Sequence, residues 1–316
     1  MRASPRRSAA VGAAALAAAV LFLPAVGCGP VWSGGARGGA GGGAVLGPTE
    51  VLDAHNAWAD SIRDIWSRVN VTLNVPREEG SAEHRQYDVD GHLFLAKPDN
   101  LFLHGEVLGQ EMFALGMNTR EYWLWIRPEV NRVWRGRRGG SGEARLIVSP
   151  TDLAAALGVF RIEPAADGYA EFTAQARHYI LAEDRRVGGK RVPLRRVWFD
   201  RATLRPARID LFDEAGSRVL LAELLRYRPV GTTDLCTVYR ARFTRGQEVD
   251  LVIQLSAVRL DKKPNPKVFE YRQPPGATER DLDEVVEEEA PQVAPAEGEA
   301  PAPDGAAVPA PAGGAE

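Results

Sequence analysis

Two hydrophobic periodicities divide this chain. Val51, His55, Trp58, Ile62, Ile65, Trp66 and Val69 recur at three- and four-residue spacing after Pro48-Thr49, which predicts an amphipathic helix with Thr49 as its N-cap. The opposite face carries Asp53, Asp60, Arg63, Asp64 and Arg68. At Val69 the period drops to two, and Val69, Val71, Leu73 and Val75 alternate with polar residues as a first strand.

Alternation then continues with few breaks. Strands are expected over 87–95, 100–107, 111–117, 122–126 and 132–136, then over 177–183, 195–200, 207–213, 217–227, 237–245, 249–260 and 267–271. Short connections rich in Gly, Asn, Asp or Pro favour antiparallel neighbours, with Asp213-Glu214-Ala215-Gly216 and Gly246-Gln247 as hairpin turns. One second helix interrupts the meander at Pro150–Gly158, placing Leu153 and Leu157 on one side. The fold class is therefore α+β: a curved antiparallel sheet of about a dozen strands with few covering helices.

The ends are not domain-like. Arg2, Arg6 and Arg7 precede an apolar run from Ala9 to Leu23, and small residues lead to Cys28, the pattern of a secretory signal. Ala25-Val26-Gly27-Cys28 resembles the lipobox of bacterial lipoproteins, in which the cysteine becomes the acylated first residue. Residues 1–27 then read as a signal peptide and 28–47 as a Gly/Ala-rich tether. Ordinary cleavage beside an incidental cysteine is the main rival. An uncleaved anchor would need about 20 apolar residues, and this run ends sooner at Pro24. The folded domain is expected over 48–281, and 282–316, acidic and Pro/Ala-rich, as a disordered tail.

The net charge of −3 hides an asymmetry. The acids concentrate after Gly276, where only Arg280 opposes them, so the body is mildly basic. That balance suits anionic headgroups and does not point to nucleic acid. The acidic tail is a candidate contact for a protein partner.

Catalytic signatures are missing. There is no G-x-S-x-G, H-E-x-x-H, C-x-x-C, Walker-type or G-x-G-x-x-G pattern. The five histidines (His55, His84, His92, His104, His178) contain no i, i+4 pair, so neither a metal nor a cofactor is expected. His104-Gly105-Glu106 lacks the P-C-x-x-C partner of a zinc deaminase and reads as a strand end with a turn. Cys236 has no disulfide partner once Cys28 is acylated and reads as a structural thiol. Asp88/Asp90 read as a solvated sheet face, and Asp210/Asp213 carry no testable spacing. Arg135, Arg137, Arg138 and Arg145 surround a Gly-rich loop that either solubilises or meets phosphate or acidic groups.

What stands out is apolar. Leu93, Leu95, Leu101, Leu103, Phe113, Leu115, Trp123 and Trp125 fall within a few consecutive strands, and the strand over 122–126 is apolar on both faces. Such a strand is covered on both sides or borders a cavity. The two readings are a plain core and an incompletely filled face that accepts an apolar ligand.

This arrangement resembles the LolA/LolB-like periplasmic lipoprotein carriers and receptors. The resemblance lies in the N-terminal helix, Asp90-Gly91-His92-Leu93 leading to Lys97-Pro98, the meander, the short helix and the closing Phe269-Glu270-Tyr271-Arg272-Gln273-Pro274-Pro275-Gly276 followed by Asp281. It spans 51–281. It implies an incomplete antiparallel β-barrel whose helices lid an apolar cavity for acyl chains. The implied ligand-binding residues are Leu93, Leu95, Leu101, Leu103, Phe113, Leu115, Trp123, Trp125, Leu153 and Leu157, with Trp58, Ile62 and Trp66 on the lid helix. An anchor at Cys28 moves the chain toward the receptor type, on the periplasmic face of a Gram-negative-type envelope. Gly29 rather than Asp after the cysteine favours the outer membrane. The other reading is a non-enzymatic envelope scaffold of the same fold with a filled core, binding a protein partner.

Overall fold

The computed structural model describes residues 45–76, 84–127, 131–163 and 169–284. The expected signal peptide, Cys28, most of the expected tether and residues 285–316 lie outside them.

Helix α1 (Pro48–Ser61) starts with Pro at its first turn, and the Glu50 carboxylate accepts the Gly47 amide at 2.8 Å. The cap is therefore Gly47, not Thr49. The helix also stops earlier than its periodicity suggests. Ser61 Oγ donates to the Trp58 carbonyl at 2.6 Å, Ile62 is extended, and β1 (Asp64–Pro76) begins pairing at Asp64 with Ala96. Ile65, Trp66 and Val69 thus belong to a strand. Spacing of four satisfies both periods, and burial of Ile65, Ser67, Val69 and Val71 shows that period two governs.

The remaining strands are β2 (His84–Ala96), β3 (Asn100–Val107), β4 (Gln110–Met117), β5 (Glu121–Ile126), β6 (Arg132–Arg137), β7 (Tyr169–Ala174), β8 (His178–Val187), β9 (Lys190–Asp200), β10 (Pro206–Phe212), β11 (Arg218–Val230), β12 (Thr233–Phe243), β13 (Val249–Arg259) and β14 (Thr278–Asp281). They form one 14-stranded sheet in the order β14-β6-β5-β4-β3-β2-β1-β13-β12-β11-β10-β9-β8-β7. Every pairing is antiparallel except β14 with β6. The sheet is open, since β14 and β7 each pair on one side only. Its first and last segments meet at β1 and β13, where Val71 faces Ile253.

Two strands have no counterpart in the alternation reading, β7 and β14. The segment expected as a strand over 267–271 is instead a 3-10 turn at Pro266–Phe269, initiated by Asn265 Oδ1, which accepts the Lys267 amide at 3.0 Å. It belongs to a strap that leaves β13 and crosses one face of the sheet to reach β14. Asn118 holds this strap through Nδ2 to the Phe269 carbonyl at 2.9 Å.

Helix α2 (Pro150–Ala156) is capped by Ser149, whose Oγ accepts the Asp152 amide at 3.2 Å. It packs against β4 and β5 on one arm of the sheet and β11 on the other. The inward side chains of both arms merge there into one hydrophobic cluster, including Leu93, Leu101, Leu115, Ile209, Leu220, Tyr239 and Ile253. Packing extends through Leu282, which is buried in the same cluster.

Candidate ligand-binding site

The candidate site lies on the inward face of the sheet beneath the two helices. Leu93 and Leu95 on β2 and Leu101 and Leu103 on β3 occupy alternating buried positions, and Leu115 lies in the wholly buried end of β4. They join Leu153 and Leu157 of the α2 segment and Trp58 and Ile62 of the α1 segment in one apolar cluster, with Phe113 half-buried against it.

Trp123, Trp125 and Trp66 lie elsewhere. Along β5, Tyr122 and Leu124 contribute to the inner cluster, so Trp123 and Trp125 project from the other face. They pack with Ala114, Val133, Ala277, Phe102 and Tyr271, beneath the strap. The Trp123 and Tyr271 rings are 5.8 Å apart, and Trp125 Nε1 donates to Asn131 Oδ1 at 3.1 Å. Gly116, opposite Trp123, leaves room for that ring: a Cβ there would lie 2.3 Å from it. Trp66 stands on β1, half-buried, edge-to-face with Phe94 and tilted against His92, with Lys262 Nζ 4.5 Å from its ring centroid. Both faces of β5 are covered, each by a different element.

Polar contacts fasten the helices. Asn56 makes two bonds with Ile162, donating to its carbonyl at 3.0 Å and accepting its amide at 2.8 Å. His55 Nε2 lies 2.9 Å from the Phe160 carbonyl, and Arg161 pairs with Asp60. Helix α1 and the segment after α2, where the lid is expected, are therefore fastened into one unit. Lys97, just past β2, binds this unit to the sheet: its Nζ donates to the Ala59 carbonyl of α1 and, at 2.7 Å, to the Val159 carbonyl beyond α2. Burial lowers the pKa of this ammonium, opposed by Asp60. On the sheet's other arm, Trp58 Nε1 donates to the Asp234 carbonyl at 2.8 Å.

Two buried titratable groups sit in the expected lid. His55 is fully buried among Trp58, Phe160 and Phe199; burial brings its pKa down to about 4, so the ring is neutral at pH 7. Asp152 of α2 lies 2.9 Å from Arg245, just past β12. Burial raises its pKa to about 6, opposed by Arg245 and reinforced by the nearby Glu143 carboxylate. Neither Lys97 nor Asp152 was singled out by spacing, because the partners of Lys97 are backbone carbonyls and Asp152 reads as an ordinary first-turn acid.

Elsewhere the polar candidates have structural partners. Cys236 is buried, its pKa is pushed up to about 11 by burial, and its Sγ contacts the Val238 carbonyl at 3.2 Å. Asp88 and Asp90 are exposed and bond Thr72 at 2.6 Å and Asn70 at 3.2 Å. Asp210 pairs with Arg208 at 2.8 Å. Arg135, Arg137 and Arg138 pair with Glu279, Asp283 and Asp99 at 3.0, 3.7 and 3.1 Å, while Arg145 is exposed. His104 lies within β3, stacked on His92 with ring centroids 5.3 Å apart. Among the described residues no three His, Cys, Asp or Glu groups are placed to hold a metal ion, and no helix is long and apolar enough to cross a membrane.

The fold is α+β, an open curved antiparallel sheet with few covering helices. The solved structures it resembles include a LolA superfamily protein, NE2245 from Nitrosomonas europaea, at 13% identity over 72% of this chain and 99% of that one, TM-score 0.48. A DUF1329 family protein from Desulfovibrio piger ATCC 29098 matches at 16% identity over 71% and 97%, TM-score 0.50. A domain from Vibrio parahaemolyticus, provisionally assigned to outer membrane lipoprotein sorting, matches at 14% identity over 70% and 95%, TM-score 0.47. No family model matches the sequence, and no curated protein matches it.

Proposed function

We propose that this protein is a lipid-anchored envelope protein that holds acyl chains, from a lipoprotein or a lipid, between the inner face of its sheet and the lid formed by α1 and α2. The observation that carries this reading is the Lys97 clasp. One side chain on the sheet ties both parts of the lid, through Ala59 and Val159, over a continuous apolar face. Opening the lid breaks two hydrogen bonds of a half-buried ammonium and exposes leucines that an acyl chain would then cover. Each CH₂ so buried contributes about 0.8 kcal/mol, so a long chain offsets the cost of separating lid from sheet. No bond is made or broken.

Acylation at Cys28 would keep this site within a spacer's length of the bilayer, on the periplasmic side and, with Gly29 following, at the outer membrane. The second reading, a tethered scaffold that binds a protein partner, is favoured by the near-complete burial of Leu93, Leu101 and Leu157 in the closed form. A fluorescent fatty acyl probe separates the two. The carrier reading expects saturable binding that a lipopeptide competes away, and binding that is absent or nonsaturable leaves the scaffold.

A further inference from the structure

Several arginines of the β8–β13 half are matched by acids, while Arg185 bonds the Phe212 carbonyl at 3.3 Å and Arg196 rests over the Phe212 ring. Arg195, Arg208, Arg218, Arg240 and Arg242 each stand within 4.0 Å of a carboxylate, from Glu183, Asp210, Asp210, Glu223 and Asp250 respectively. Arg177, Arg201, Arg205, Arg226 and Arg228 have no carboxylate partner among the described residues. These five share one place. In an antiparallel meander every second connection falls at the same end, so the β7–β8, β9–β10 and β11–β12 turns lie together. Arg177, Arg201 and Arg205 sit in the first two, and Arg226 and Arg228 on the part of β11 that runs past the start of β10.

The nearby acids are otherwise engaged or few. Asp200 Oδ1 accepts the amides of Ala202 and Thr203 at 3.0 and 2.9 Å, and Asp60 and Glu163 are taken by Arg161. Exposed Asp234 is the acid that remains near Arg205. The Arg205 guanidinium rests 5.0 Å from the Trp58 ring centroid, with Nε buried and unbonded. That desolvation lowers its pKa. The chain also enters the domain here: the Leu46 amide donates to Tyr179 Oη at 3.0 Å, beneath the Arg201 guanidinium, 5.1 Å from that ring. Exposed Val45 and Leu225 lie at the same rim, and so does the Lys97 clasp.

We propose that this arginine rim is a docking surface for an anionic phospholipid bilayer, orienting the lid end of the domain toward the headgroups. Guanidiniums without a carboxylate partner form bidentate bonds with phosphate, although Arg201 also donates to the Gln175 carbonyl at 3.1 Å, and flanking apolar side chains, Val45 at the start of the described chain among them, enter the interface. The opposite rim carries the other candidate, Leu108, fully exposed at the β3–β4 turn. The inference goes beyond acyl binding and fails separately from it, since it is read on vesicles with no acyl probe.

The test uses the chain from residue 28 onward with Cys28→Ser, so that neither an apolar leader nor an acyl group binds the membrane; all the described residues, within 45–284, are kept. Flotation with vesicles of phosphatidylcholine containing phosphatidylglycerol, against phosphatidylcholine alone, should show binding to the anionic vesicles only, weakened by salt. Each charge removed should cost about fivefold, so Arg201→Gln with Arg228→Gln should weaken binding more than tenfold, while Arg201→Lys with Arg228→Lys retains most of it. Circular dichroism confirms that both pairs are folded. Equal binding to neutral vesicles, unchanged binding of the glutamine pair, or loss of binding in Leu108→Glu alone would overturn the proposal.

Discussion

Replacing Lys97 by Met keeps the aliphatic stem and deletes the ammonium, which isolates the clasp. Two hydrogen bonds are lost, to Ala59 and Val159. Bonds to a charged group contribute about 1.5–3 kcal/mol each. Part of that is returned, because the ammonium no longer suffers the burial that lowers its pKa. The Ala59 carbonyl also keeps a partner, the Ile62 amide at 3.1 Å. A net loss of about 2 kcal/mol in lid closure is expected, or about 30-fold in the opening equilibrium. Hydrogen exchange reads this locally. Amides of α1 and of 157–162 should exchange about 30-fold faster, while the paired core of β1, β12 and β13 keeps its protection. Lys97→Arg should stay near the parent. Uniform loss of protection across the sheet would mean that Lys97 serves global stability, and unchanged exchange in α1 would mean that it clasps nothing; either result refutes the lid argument.

Three further outcomes are expected. Asp152 has a folded pKa of about 6, above its ordinary value, so the folded state binds the extra proton: its contribution to stability is present below about pH 4 and is lost as pH rises through 6. His55, depressed to about 4, acts oppositely, costing stability as pH falls from 6.5 to 4. In urea titrations between pH 4.5 and 7, Asp152→Asn should therefore gain stability more steeply with rising pH than the parent, and His55→Gln less steeply; parallel curves would contradict both assignments. Cys236, with its pKa near 11 and its side chain buried, should react with a thiol reagent only at the rate of unfolding, and rapid native-state labelling would place it elsewhere. Leu157→Ala should destabilise the domain by about 2–5 kcal/mol in a denaturant melt, and a value near zero would mean that the α2 segment does not pack on the sheet.

Much of the architecture is legible in period-two alternation. The register that places Leu93 beside Leu103 and Leu103 beside Leu115 puts residues of like period on one face, and those leucines are recoverable without coordinates. The Asp213–Gly216 turn is equally plain, since Gly216 adopts φ +83° there. Alternation fails where burial is on both sides. In β5 the period is clear, but nothing in Tyr122–Ile126 says that the tryptophans face the strap while Tyr122 faces the lid. It fails also for β14, whose Thr-Glu-Arg-Asp is held by backbone bonds to β6 and offers no apolar positions to count. The end of α1 is hidden because Ile65 and Val69 fit a helix and a strand alike. The clasp is hidden for a different reason: Lys97 binds carbonyls, and a carbonyl leaves no mark in the sequence.

Occupancy of the space between lid and inner face by acyl chains is measured by titrating a fluorescent fatty acyl probe into the chain from residue 28 with Cys28→Ser, alongside Leu157→Glu and Trp125→Glu variants whose folding is checked by circular dichroism. Saturable binding, displaced by a lipopeptide, is expected, with Leu157→Glu weakening it at least tenfold and Trp125→Glu, on the strap face, leaving it within about twofold. Absent saturable binding, or binding lost in Trp125→Glu and kept in Leu157→Glu, would contradict that occupancy.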